Sequence, residues 1–396
     1  MLTSLALIFL FGMAFGQLFT KLKLPSLLGM IATGIILGPS VFNLIDVSIL
    51  NVSSDIREIA LVIILTRAGF ALDINDLKKS GHSVIFMSFL PSIFEIGATI
   101  LIAPKILGIT LLDAAILGSV IAAVSPAIIV TKMIDLINAG YGKDKSIPKL
   151  IIAGASVDNV FAILMFTFFI SLKKGAVFSV ESFARIPASI ILGSVFGILI
   201  GYLLTHLFKK IHIRDSVKVI ILLSFSALII QLESMIAPII PFSGLVSILF
   251  VSISILRFYP VLAQRLSGKF SKVWVAAEII LFVLVGASVG NVENIVEEGM
   301  KGVLLLLAVL SVRLIGVFLS LLNTKLNIKE KIFCMGAYIP KATVQAAIGG
   351  IPLAMGLSCG HIIVNMAVLS IIVSAPLGAF AIDFLHKRCL KKSDFA

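Results

Sequence analysis

The chain has 396 residues, 59% of them apolar and only 13% charged, with a mean hydropathy of +1.17 and a net charge of +12. An ordinary water-soluble domain carries roughly 25% charged residues, so this composition excludes one. The surplus of Lys and Arg reads as the basic cytoplasmic loops of a membrane protein and not as a nucleic-acid surface.

Apolar runs of about 17–25 residues, enough to cross a hydrocarbon core of roughly 30 Å, recur from end to end. They predict spans near 2–19, 25–41, 57–72, 83–103, 111–134, 148–171, 186–207, 217–232, 239–256, 273–290, 302–323, 331–356 and 361–385. The opening run lacks a basic n-region and a small-residue cleavage site, and is read as the first span instead of a signal peptide. The boundary between spans 8 and 9, around Pro238 and Pro241, is the least sharply marked. Segments that follow odd-numbered spans carry 23 basic residues and those that follow even-numbered spans carry 6. A miscounted span would scramble this alternation. It predicts thirteen spans, an outer N-terminus and a cytoplasmic C-terminus. The chain ends soon after span 13, so no attached regulatory domain is expected.

Cys334, Cys359 and Cys389 lie far apart and read as free thiols. His82, His206, His212, His361 and His386 show no metal spacing, and neither a nucleophile elbow nor a phosphate loop is present. Neither an enzyme nor a cofactor is expected.

Four ionisable residues fall deep inside predicted spans: Glu95 in span 4, Asp158 in span 6, Arg313 in span 11 and Lys341 in span 12. Such residues are costly in a bilayer and face a partner or an aqueous cavity. Two acids and two bases read as mutual partners, and simple neutral pairing weighs most for Glu95 and Arg313. Asp158 stands apart because Ser156 and Asn159 flank it, so one helical turn offers a carboxylate, an amide oxygen and a hydroxyl. Small hard cations take oxygen ligands. A carboxylate in an apolar span is also costly to keep ionised, so a proton and a cation compete for it. That is the minimum chemistry for exchange.

Spans 5 and 12 carry a second signal, Pro126 in IAAVSPAIIV and Pro340 in YIPKATVQAA. Proline removes a backbone donor and interrupts a helix. By the charge count, spans 4–6 and 11–13 form two triplets of opposite orientation, each with its broken helix in the middle. This is the pattern of an inverted-repeat transporter, whose interrupted helices meet near the midplane and build the ion site from their half-helix ends. Ser125, beside the first break, joins the candidate ligands, and Thr343 marks the broken-helix position after Pro340.

At these residues the chain resembles the monovalent cation:proton antiporters, and within them the NHA-type sodium/proton antiporters. The stretches that carry the resemblance are LTRAGFALD (65–73), AVSPAIIV (123–130), AGYGKDKSIPKLIIAGASVDNVFAI (139–163), VGASV (285–289), KEKIFCMGAYIPKATVQAAIG (329–349) and LSIIVSAPLG (369–378). The resemblance implies an all-α fold of about thirteen transmembrane helices, with helices 5 and 12 crossed and interrupted. It implies core halves at 83–171 and 302–385 that move against panel helices at 1–72 and 186–290. It further implies a homodimer in the plasma membrane, exchange of Na+ or Li+ for H+, and pairing of Lys341 with Asp158 and of Arg313 with Glu95. The paired acidic motif of that branch maps to Asp158 and Asn159, which places the Na+ site there. The branch has Asp at both positions and uses the second as its principal ion-binding carboxylate, whereas this chain has Asn159.

Two readings of Asn159 stand open. In one it is an engineered Asp→Asn change that mimics a neutral, protonated site and leaves exchange impaired or altered in stoichiometry; in the other it is natural, and Asp158 alone carries cation and proton. The first is slightly preferred. The alternatives to sodium/proton exchange are potassium/proton exchange, an organic-solute carrier, and a receptor or scaffold that does not transport.

Overall fold

The computed structural model describes residues 1–22, 24–71, 82–173, 180–236, 239–289 and 292–392. Lys23, Lys78, Lys79, Lys174 and Pro238, which entered the span and charge readings, lie outside them. In chain order the helices are α1 (Leu2–Lys21), α2 (Ser26–Leu37), α3 (Val47–Asn51), α4 (Ser53–Ala71), α5 (His82–Leu107), α6 (Leu111–Ala122) and α7 (Pro126–Asn138). There follow α8 (Ile147–Lys173), α9 (Val180–Lys210), α10 (Asp215–Ile236), α11 (Gly244–Phe258) and α12 (Pro260–Ala287). The last are α13 (Val292–Ser320), α14 (Ile328–Ala337), α15 (Thr343–Ile348), α16 (Ile351–Ala354) and α17 (Gly360–Cys389).

Among the described residues, each predicted span contains helix, although 38–41 of span 2 and 239–243 of span 9 are not helical. Among the described residues, nine helical segments are long and apolar enough to cross a membrane unaided, while Ser26–Leu37, Gly244–Phe258 and Thr343–Ala354 are shorter. The short α3 was not foreseen. Asp46 starts it by accepting from the Ser48 backbone N–H at 2.8 Å, as an N-cap does.

The chain divides into two compact units. The first comprises Met1–Arg57, Asp76–Ile170 and Ile279–Ala396. In lipid, helices associate by close packing of small residues, and this unit uses that device repeatedly. A Cβ on Gly29 would meet Phe15 O at 2.3 Å, which brings α1 onto α2. A Cβ on Gly316 would lie 3.0 Å from Pro91 Cα and 3.1 Å from Leu90 O, which brings α13 onto α5.

The second unit comprises Glu58–Asn75 and Ser171–Glu278. Gly193, Gly197 and Gly201 repeat every four residues along α9, and each faces α11: a Cβ would meet Ser243 O at 2.6 Å, Ser247 O at 2.3 Å and Val251 O at 2.6 Å. Ser247 Oγ donates across this seam to Gly193 O at 2.8 Å, and Ser254 Oγ to Ile198 O at 3.0 Å.

Both expected breaks are present in the first unit. Span 5 stops at Ala122 and restarts at Pro126. Residues 123–125 run extended, because the residue before a proline is pushed out of the helical region. Pro126 then serves as the first residue of α7, and Ser125 Oγ accepts from the Ile128 N–H at 3.4 Å. Span 12 stops at Ala337 and restarts at Thr343. A second interruption, at Gly349 and Gly350, separates α15 from α16 and was not foreseen. Where the two interruptions meet, the Ser125 N–H donates to Pro340 O at 2.8 Å. Pro340 packs on Gly378 of α17, where a Cβ would lie 2.3 Å from Pro340 Cγ.

Residues 139–146, between α7 and α8, join the ends of both triplets. Gly140 and Gly142 hold left-handed φ values of 81° and 63° that suit glycine. The Gly142 N–H donates to Lys391 O at 2.9 Å, beside the antiparallel bridge between Tyr141 and Lys392. Lys145 Nζ lies 2.7 Å from Glu330 Oε2, which also accepts from the Asn327 N–H at 2.7 Å and so closes a capping box on α14.

Candidate functional site

The extended crossing leaves the C-terminal carbonyls of α6 without intrahelical partners, and that end of a helix carries partial negative charge. Cationic and amide donors meet it. Ile121 O accepts from Lys341 Nζ at 2.5 Å and from Gln345 Nε2 at 3.4 Å. Ala122 O accepts from Arg313 Nη1. Ala123 O accepts from Gln345 Nε2 at 2.5 Å.

The same bases bind the two acids. Arg313 Nη1 donates to Glu95 Oε2 at 2.8 Å, and Arg313 Nη2 to Asp158 Oδ2 at 2.5 Å. Lys341 Nζ lies 2.7 Å from Glu95 Oε1 and 2.8 Å from Oε2. All four side chains are at most 2% exposed and their formal charges cancel. A buried charge is tolerable only when it is paired and hydrogen-bonded in this way. Tyr338 adds its backbone O, which accepts from Arg313 Nε at 3.3 Å, and its ring, 5.6 Å from the guanidinium carbon.

The expected partnership of Lys341 with Asp158 is therefore not the one formed. Arg313 reaches both acids, and Lys341 reaches only Glu95. The forked guanidinium aims one N–H at each of two carboxylates, whereas the Lys341 ammonium spends its donors on Glu95 and Ile121 O.

The other ligand candidates stand outside this cluster of bonds. Ser156 Oγ donates to Ile152 O of its own helix at 2.8 Å. Ser125 is joined to Pro340 through its backbone. Asn159 is 2% exposed, and neither its Oδ1 nor its Nδ2 has a hydrogen-bond partner among the described residues. The same holds for Thr343 Oγ1. Ser92, not singled out in the sequence, is bonded directly into the site: its Oγ donates to Asp158 Oδ1 at 2.6 Å. Gln345 and the carbonyls at 121–123 were missed as well. A serine in an apolar span or a backbone oxygen carries no sequence signal, whereas Gln345, buried two residues after Thr343, does.

Oxygens from Glu95, Ala122, Asp158 and Tyr338 thus converge on one guanidinium. Carboxylate and carbonyl oxygens held in this way also suit a small hard cation.

Residues 5–388 match the protein family described as sodium/hydrogen exchanger, transmembrane. The chain belongs to the sodium/hydrogen exchanger family. Among curated relatives, sodium/hydrogen exchanger 9B2 of Homo sapiens is 31% identical over 93% of this chain and 70% of its own length. Sodium/hydrogen exchanger 9B1 of Homo sapiens is 31% identical over 93% of this chain and 73% of its own. The sodium proton antiporter MjNhaP1 from Methanocaldococcus jannaschii superposes with a TM-score of 0.83 over 97% of both chains at 17% identity, so it shares the fold. The all-α, inverted-repeat reading with two crossed, interrupted helices holds. This member of the exchanger family is a multi-pass membrane protein.

Proposed function

We propose that the chain exchanges Na+ or Li+ for H+ by alternating access, with Asp158 as the group that holds cation and proton in turn. The observation that carries this reading is the pairing of Asp158 with Arg313 at the crossing of two broken helices. A cation that enters displaces the guanidinium from Asp158 Oδ2, and Arg313 keeps its contact with Glu95. Lys341 keeps the α6 carbonyl end and Glu95 in register. Asn159, with its Oδ1 uncommitted, is a neutral oxygen ligand beside Asp158, and Ser156, Ser125 and Thr343 are further hydroxyl ligands. Na+ is cargo here, not a resident cofactor.

The same reading takes residues 83–171 and 302–385 as the moving core and residues 1–72 and 186–290 as the dimerisation panel of a homodimer. It places thirteen spans in the plasma membrane, with the N-terminus outside and the C-terminus in the cytoplasm. The 23-to-6 distribution of basic residues supports that orientation. The test is reconstitution into liposomes that enclose a pH dye, followed by pulses of sodium, lithium and potassium. Sodium and lithium are expected to move protons, and Asp158→Asn is expected to abolish the response. Asn159→Asp separates the two readings of that position, since the absence of a gain in sodium-driven proton flux rules out the impaired site. Flux with none of the three cations overturns the proposal.

A further inference from the structure

We propose that Ser92 is a positioning residue of the ion site: its hydroxyl pins one oxygen of Asp158 so that the other is presented, in a fixed place, to whichever cation binds it. This rests on the reading of Asp158 as the ion-binding carboxylate.

Several serines elsewhere in the same unit bond within their own helices. A hydroxyl inside a helix ordinarily gives its hydrogen to the carbonyl four residues back. Ser88 does so to Val84 O at 2.7 Å, Ser156 to Ile152 O at 2.8 Å, and Ser320 to Gly316 O at 2.8 Å. Ser92 lies in α5 like Ser88, is 0% exposed, and departs from this habit. Its Oγ reaches out of the helix to Asp158 Oδ1 at 2.6 Å. The other acceptor nearby, Ala122 O, is 3.5 Å away, so the single hydroxyl hydrogen goes to the carboxylate.

Position explains the consequence. Ser92 and Glu95 are three residues apart and therefore share a face of α5. Ser92 holds Asp158 from this face while Glu95 holds Arg313, which in turn holds Asp158. The terminal torsion of an aspartate is soft, so an unpinned carboxylate swings. Fixing Oδ1 orients Oδ2 before the cation arrives, and a ligand set already in place binds more tightly than one that must be ordered. The role of Ser92 is in affinity for the cation, not in the movement of the core.

The test uses the full-length protein, purified in detergent and also reconstituted, with Ser92→Ala, Ser92→Thr and Ser92→Gly. The readouts are the Na+ and Li+ concentrations that give half of the salt-dependent rise in thermal unfolding temperature, and the half-saturating concentration and maximal rate of exchange. Ser92→Ala and Ser92→Gly are expected to raise the half-saturating cation concentration by about tenfold, as loss of a hydrogen bond to a charged group implies. Maximal rate is expected to stay within about twofold. Ser92→Thr, which keeps the hydroxyl, restores most of the affinity. Unchanged half-saturation in Ser92→Ala and Ser92→Gly overturns the proposal, and so does equal impairment in Ser92→Thr, which would mark a packing role. Asp158→Asn separates the two layers: if it binds and exchanges sodium like the wild type, the reading of Asp158 fails. If it is inactive while Ser92→Ala is normal, only the role of Ser92 fails.

Discussion

Arg313 Nη2 lies 2.5 Å from Asp158 Oδ2, and the same guanidinium holds Glu95 through Nη1 at 2.8 Å. One base thus bridges two fully buried acids. Its loss leaves them with only Lys341, which touches Glu95 alone. Arg313→Ala is expected to cost roughly 3–5 kcal/mol, the range for a buried ion pair stripped of one partner, and to abolish exchange. Arg313→Lys keeps the charge but not the fork, and is expected to fall between. Denaturation in detergent across the three proteins checks the order.

Lys341 and Glu95 are expected to be strongly coupled. Lys341→Ala leaves Glu95 with Arg313 alone, and Glu95→Gln leaves the Lys341 ammonium without its carboxylate, while the double variant removes the opposing charges together. The double loss is expected to be smaller than the sum of the single losses by about 1 kcal/mol or more, as for directly bonded pairs. Additive effects in a double-mutant cycle would count against the pairing.

Glu330 is expected to matter more than Lys145, although each is half of one salt bridge. The Glu330 side chain is 4% exposed and also accepts from the Asn327 N–H, whereas Lys145 is 35% exposed. Lys145→Ala removes a partly exposed pair, for which the effect is below about 1 kcal/mol. Glu330→Ala removes the capping box as well, and is expected to add a further loss of about 1 kcal/mol. Equal shifts in unfolding temperature would contradict this.

Gly378→Val tests the support beneath the second break. The Pro340 ring fills the space where a side chain at 378 would sit. The substitution must push the 338–342 segment, and Lys341 with it, off α6. A loss of stability of about 1–3 kcal/mol, typical of overpacking, is expected together with a larger loss of exchange. Normal exchange in Gly378→Val would show that the segment tolerates displacement.

Much of this architecture is legible in the residue string because a membrane exaggerates contrast. Glu95, Asp158, Arg313 and Lys341 stand out against apolar neighbours, and Pro126 and Pro340 interrupt helices whatever surrounds them. The Arg313–Glu95 pair is the expected one, but that Arg313 also takes Asp158 in place of Lys341 is not legible, since it depends on the depth and rotation of four helices. The break at Gly349 and Gly350 is hidden for a similar reason, since two glycines in an apolar run also signal close packing. The α9 stripe of Gly193, Gly197 and Gly201 is readable in principle from its spacing, though its partner helix is not.

The sequence distances inside the site bear on how the protein is made. Asp158 and Arg313 are 155 residues apart, and Glu95 and Lys341 are 246 apart. A chain synthesised from its N-terminus therefore inserts both acids long before either counter-charge exists. Until α13 emerges, Glu95 and Asp158 must be protonated or kept near water, so the first triplet cannot settle into its final packing alone. Residues 139–146 wait longer still, because the bridge from Tyr141 to Lys392 closes only after the last helix is complete. Pairing of the core charges is thus deferred until Arg313 and Lys341 are made, and a truncation before α13 strands the first triplet with its charges unpaired.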